Sequence, residues 1–289
     1  MKKILFATTA LVVTAGAAAA DITLSGSANM GVKYQEGRAA GETFLYNELD
    51  FGINASSTTD SGIEFGASID LDASMTDDTA TQDPGSFDPE VYISSGGLTL
   101  TVGTVDPATD PFGIGDIGFD GIGIDDVGEK IGGTGVKGNA NVIVEYTMGD
   151  YSFAASADGN SGDDWAIAFM GSFSGLDFGI GYNEAAVLGT TVDATWLDLS
   201  YGFGDVTVGA FYLHADAAGG GEADNYGFEA AYTAGDLTVN FAYSYDDSTD
   251  ADAYGVGASY NLGSGLAVAG GVGDVDGTTV ADFGVTMSF

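Results

Sequence analysis

From Asp21 onward the chain repeats one pattern: apolar residues alternate with small or polar ones. In 237–245, Leu237, Val239, Phe241, Tyr243 and Tyr245 interleave with Thr238, Asn240, Ala242 and Ser244. In 254–262, Tyr254, Val256, Ala258, Tyr260 and Leu262 interleave with Gly255, Gly257, Ser259 and Asn261. A period of two is the repeat of an extended strand whose two faces meet different surroundings. The same reading holds for 22–34, 47–56, 62–73, 90–94, 97–105, 141–148, 151–158, 165–173, 176–183, 193–203, 206–214, 226–234 and 265–272, and for the closing "TTVADFGVTMSF". The pattern predicts sixteen strands, most of them about 9–11 residues long, the span of a tilted strand crossing a bilayer.

The links alternate in length. "TTDSG", "SGG", "AGD", "GSG" and the pairs at 149–150, 174–175 and 204–205 are tight hairpin turns. Between them lie longer acidic links at 74–88, 106–137, 159–164, 215–224 and 246–252. Short turns on one rim and long loops on the other is the layout of an outer-membrane barrel. In that reading lipid takes the apolar stripe and water the polar one. Sixteen strands enclose a lumen too wide for side chains to fill, and closure removes the unpaired edges that hydrocarbon does not tolerate. The last strand must then pair with the first, which places the terminal Phe289 at the lipid–water boundary of the closing seam.

Lys2 and Lys3, an apolar run from Ile4 to Ala15 and Ala18-Ala19-Ala20 before Asp21 have the form of a secretory signal peptide cleaved after Ala20. The run is shorter than the roughly 20 residues of a spanning helix. The domain reading is therefore a signal peptide at 1–20 and one β domain at 21–289. Cysteine is absent, so no disulfide braces the exported chain. Loss of Lys2 and Lys3 leaves four basic residues against 43 acidic ones, a formal charge of −39. That balance excludes nucleic acid as a partner and favours cations. A 45% apolar content with 17 Phe and 14 Tyr separates the chain from acidic disordered proteins, and the 47 glycines suit turns, bulges and curved sheet.

Four stretches, "ITLSGSANMGVKY", "TTDSGIEFGASI", "GGLTLTVGTVDPATD" and "AYGVGASYNLGSGLAVAGGVGDVDGTTVADFGVTMSF", carry a resemblance to the general porins of the alphaproteobacterial, Rhodobacter-type group. The resemblance implies a 16-stranded antiparallel transmembrane β-barrel, a homotrimer in outer-membrane lipid, and passive diffusion of small hydrophilic solutes and ions. It also implies that the third long loop, 106–137, folds into the lumen as a constriction.

That loop carries Asp106, Asp110, Asp116, Asp120, Asp125, Asp126 and Glu129. Phe112, Ile114, Ile117, Phe119, Ile122 and Ile124 are apolar enough to pin it to a wall. The family pattern sets arginines on the second and third strands opposite the acidic loop. This chain departs from it: with Leu49, Phe51 and Ile53 toward lipid, Glu48 and Asp50 face the lumen, and the same parity turns Glu64, Ser68 and Asp70 inward. Lys33 on the first strand is one of the few basic residues left. A pore acidic on both walls is expected to select cations. Crowded carboxylates could also hold calcium, with Asp125–Asp126 and Asp246–Asp247 as candidates; no other cofactor is implied. His214 is the only histidine and no serine sits in a nucleophile motif, so the chain is read as no enzyme. A secreted or surface-attached acidic β protein, adhesin- or lectin-like, would share the alternation and the charge.

Overall fold

The alternating segments pair with their sequence neighbours throughout. We describe a computed structural model covering residues 9–10, 21–76, 87–160 and 163–289. The expected leader, apart from a two-residue bridge at Thr9–Ala10, lies outside the described residues, as do 77–86 and 161–162. The strands are β1 (Asp21–Gln35), β2 (Thr43–Thr58), β3 (Glu64–Thr76), β4 (Phe87–Ser95), β5 (Leu98–Val105), β6 (Ala140–Met148), β7 (Tyr151–Ala157) and β8 (Trp165–Phe173). They continue as β9 (Leu176–Val187), β10 (Thr190–Phe203), β11 (Val206–Ala217), β12 (Glu222–Ala234), β13 (Leu237–Asp246), β14 (Ala251–Gly263), β15 (Leu266–Val275) and β16 (Thr278–Ser288). Every pairing is antiparallel, and β16 returns to β1 in register from Val280↔Gln35 to Ser288↔Ser27. The sixteen expected strands form one closed barrel.

The seam extends one residue past β16. Phe289 donates its N–H to the Gly26 carbonyl at 2.9 Å and accepts from the Gly26 N–H at 2.8 Å. Its ring covers Gly26 so closely that a Cβ there would sit 2.5 Å from it, and the residue is 53% exposed on the outer face. The terminal aromatic thus fills the place that a side chain at 26 would occupy.

Parity sorts the faces as expected. On β4, Phe87, Val91 and Ile93 are exposed outward while Asp88, Glu90 and Tyr92 are half-buried inward. Two expected links are shorter than their sequence suggested: 215–224 reduces to 218–221 and 246–252 to 247–250. The ladders run on through His214↔Asp224 and Asp216↔Glu222, because antiparallel hydrogen bonding does not require an apolar outer stripe.

Candidate functional site: the lumen and its inner loop

The packed core of the molecule lies inside the barrel. The 106–139 link between β5 and β6 contains one short helix, α1 (Ile124–Glu129), and a two-residue ladder joining Lys130–Ile131 to Thr134–Gly135. Phe112, Ile114, Ile117, Phe119, Ile122 and Ile124 are all buried, as expected of apolar residues that pin the loop to the wall. Each of five of these side chains rests where the wall has glycine. Phe112 lies against Gly179 and Gly181 on β9, Ile114 against Gly227 on β12, Ile117 against Gly257 and Gly271 on β14 and β15, Ile124 against Gly273, and Phe119 against Gly31 and Gly284 at the seam. The inward glycines form a track around the wall, and the apolar loop residues fill it.

Polar residues of the wall hold the loop backbone between these contacts. Asp282 on β16 accepts from the Phe119 N–H at 2.9 Å, the Asp120 N–H at 3.3 Å and the Gly271 N–H at 2.8 Å. Glu229 accepts from Gly115 at 2.8 Å, Asp246 from Gly132 at 2.8 Å, and Asp198 from Gly113 at 3.3 Å. Ser244 donates to the Ile124 carbonyl and accepts from the Gly128 N–H at 3.1 Å. The Asn225 amide donates to the carbonyls of Gly128 and Lys130, and Asn183 to that of Val136. Asp282, Asp246, Ser244, Asn225 and Asn183 are buried and Glu229 and Asp198 half-buried, and together they satisfy backbone that would otherwise be unpaired inside the barrel. Sequence reasoning missed them because an inward polar residue that binds a loop and one that binds water have the same periodicity.

The predicted site residues fall into three groups. Asp116 and Glu129 turn into the loop itself: Asp116 accepts from the N–H groups of Gly123 (2.8 Å) and Ile124 (3.1 Å), and Glu129 from that of Ile114 at 3.0 Å. Lys137 then closes the loop base, its Nζ 2.8 Å from the carbonyls of Asp110 and Phe112 and 3.3 Å from Glu129. A second group gathers at the seam. Lys33 Nζ lies 2.5 Å from Asp120, which also accepts from the Asn29 amide at 2.8 Å; Glu48 accepts from Asn29 and from the Tyr46 hydroxyl, each at 3.3 Å. Asp126 pairs with Lys130 at 2.8 Å, beside Asp125 on α1.

The third group lines the wall of β2–β4. Oxygens of Asp50, Asp70 and Asp72 lie within 4.8 Å of one another. Asp88 stands opposite Asp70, and Glu90 opposite Ser68, whose hydroxyl donates to it at 3.4 Å. Asp106 and Asp110 begin the inner loop close to Asp88; burial, then these two carboxylates, push the Asp106 pKa up while Lys137 opposes the shift. Glu64 stands apart from this group. It lies six residues nearer the short-turn rim than Asp70, roughly 20 Å along the strand, and accepts from the Tyr92 hydroxyl at 2.9 Å. No lysine or arginine occurs on β2, β3, β4 or β5. Burial and the charges of Asp116, Glu129 and Asp126 raise Asp125 to about 7.

A closed barrel with exposed leucine, phenylalanine and tyrosine outside, a wet carboxylate wall inside and a loop fastened across part of the lumen defines a transmembrane channel. The chain belongs to the Gram-negative porin family, whose model matches residues 7–279. It is similar to a porin of Rhodobacter capsulatus, 28% identical over 312 residues that cover 93% of this chain and 100% of that one. It is also similar to a porin of Fuscovulum blasticum, 27% identical with the same coverage. Among solved structures, two triple mutants of the Rh. blastica porin superpose with TM-scores of 0.77 and 0.78 at 24% identity, over 93% of this chain and 100% of theirs. Membership places the channel in the outer membrane.

Proposed function

We propose that this porin passes small hydrophilic solutes and selects cations, with the 106–137 loop as its constriction. The observation that carries this reading is the wall of Asp50, Asp70, Asp72, Asp88 and Glu90 on strands without a basic residue. The mature cations of the inner loop and seam support it, since Lys33, Lys130 and Lys137 each face a carboxylate. Carboxylates along a water-filled passage concentrate cations and repel anions. The reversal potential across a bilayer in a KCl gradient tests the idea, and a value on the anion side rejects it.

The assembly we propose is a homotrimer. Outward tyrosines and tryptophan (Tyr146, Trp165, Tyr201, Tyr212, Tyr254, Tyr260) mark β6–β14, whereas the exposed large residues of β1–β5 are leucine, isoleucine, valine, methionine and phenylalanine. Interfacial aromatics belong where strands meet head groups, so the plainer sector suits contact with copies of the chain. A detergent-solubilised mass of one chain would reject the trimer. Calcium at Asp125–Asp126 would have to displace Lys130 from Asp126. Unchanged assembly stability after chelation would reject it.

A further inference from the structure

Between the inner loop and the seam, near the rim with the longer links, lies a cavity of about 630 Å³. Its volume matches about twenty waters at roughly 30 Å³ each. Four carboxylates line it, Asp116, Asp120, Asp126 and Asp276, against the single ammonium of Lys33. Three aromatic residues border the same space, Tyr34 on β1 and Phe44 and Tyr46, which stand two apart on the inward face of β2. Ile122, Val275 and Val280 add apolar surface.

The chain's own cations reveal what these rings attract. The Arg38 guanidinium lies 4.1 Å from the Phe44 ring centre, and Lys33 Nζ 4.5 Å from that of Tyr46. Both distances are within cation–π range, an interaction that strengthens as the cation loses water. A hydrated inorganic ion gains little from apolar walls. A cation carrying hydrocarbon gains from the rings, the aliphatic surface and the carboxylates together.

We propose that this cavity is a binding subsite for organic ammonium solutes, with Phe44 as the face that receives the ammonium group and Arg38 as its intramolecular competitor. The proposal rests on the cation-selective reading and adds a saturable site to it. Phenethylammonium, added on the long-loop side of channels in a bilayer, is expected to reduce the potassium current with saturation. Phe44→Leu keeps an apolar side chain and removes the ring; it is expected to weaken the block at least fivefold. Arg38→Gln is expected to strengthen it. A wild-type block that does not saturate, or one left unchanged by both substitutions, overturns the subsite. The KCl reversal potential measured in the same membranes separates the two readings: cation selectivity without saturable block removes only the subsite, and anion selectivity removes the reading beneath it.

Discussion

Ile117 of the inner loop occupies the place a side chain would take at Gly257: a Cβ there would lie 2.5 Å from the isoleucine Cγ2, and the same holds for Gly271 on the next strand. One buried side chain thus uses the bare backbone of two strands. Gly257→Leu should push the loop off the wall toward the passage. Overpacking of this kind costs about 1–3 kcal/mol. The expected outcome is a lower thermal midpoint and a smaller single-channel conductance. Gly202→Ala, where the nearest atom to the added Cβ is 4.0 Å away, should change neither.

Lys137 supports the loop by a different means. Its ammonium joins two carbonyls at the start of the loop to Glu129 near its end, and lies 5.2 Å from the Trp196 ring centre. Lys137→Met leaves Glu129 and both carbonyls without that donor, at a cost of about 1–3 kcal/mol. Faster protease cleavage within 106–137 and noisier open-channel current are expected. Adding Glu129→Gln should recover part of the loss, because the neutral amide no longer needs a cation.

The barrel was legible in the sequence because its cause is local: lipid on one side and water on the other impose period two on every strand. The loop's seating was half legible. Phe112 and Ile117 announced themselves as pins, yet the glycines that receive them are 67 or more positions away and look like ordinary strand glycines. The lumenal carboxylates were the hardest to sort. Asp282 and Asp70 have the same parity and the same chemistry, but one binds three backbone N–H groups and the other lies beside Asp50 and Asp72. What separates them is whether the loop passes overhead, a long-range fact that no spacing encodes.

Acidity should tighten the loop. The Asp125 carboxyl titrates at about 7 in the folded protein, above its usual value, and burial holds Glu129 up as well. An acid whose folded pKa is raised binds its proton more readily when folded. Its stabilising effect is therefore complete below about 3.9 and disappears as pH rises through about 7. The unfolding midpoint should fall between pH 5 and pH 8, and Asp125→Asn should flatten that slope. A midpoint that rises over this range in wild type would contradict the assignment.

The carboxylate wall makes the remaining prediction. Three acids with oxygens within 4.8 Å of one another repel in the absence of counter-ions, so their clustering raises the local cation concentration and weakens the fold. Replacing Asp50, Asp70 and Asp72 together with asparagine should move the KCl reversal potential toward zero while leaving stability equal or higher. Salt should imitate the substitution. At about 0.15 M the screening length is about 8 Å, and at 1 M about 3 Å, so wild-type selectivity should decline steeply over that interval and the variant's much less. Equal salt dependence in the two proteins would place the selecting charges elsewhere, at Asp106, Asp110 or Glu48.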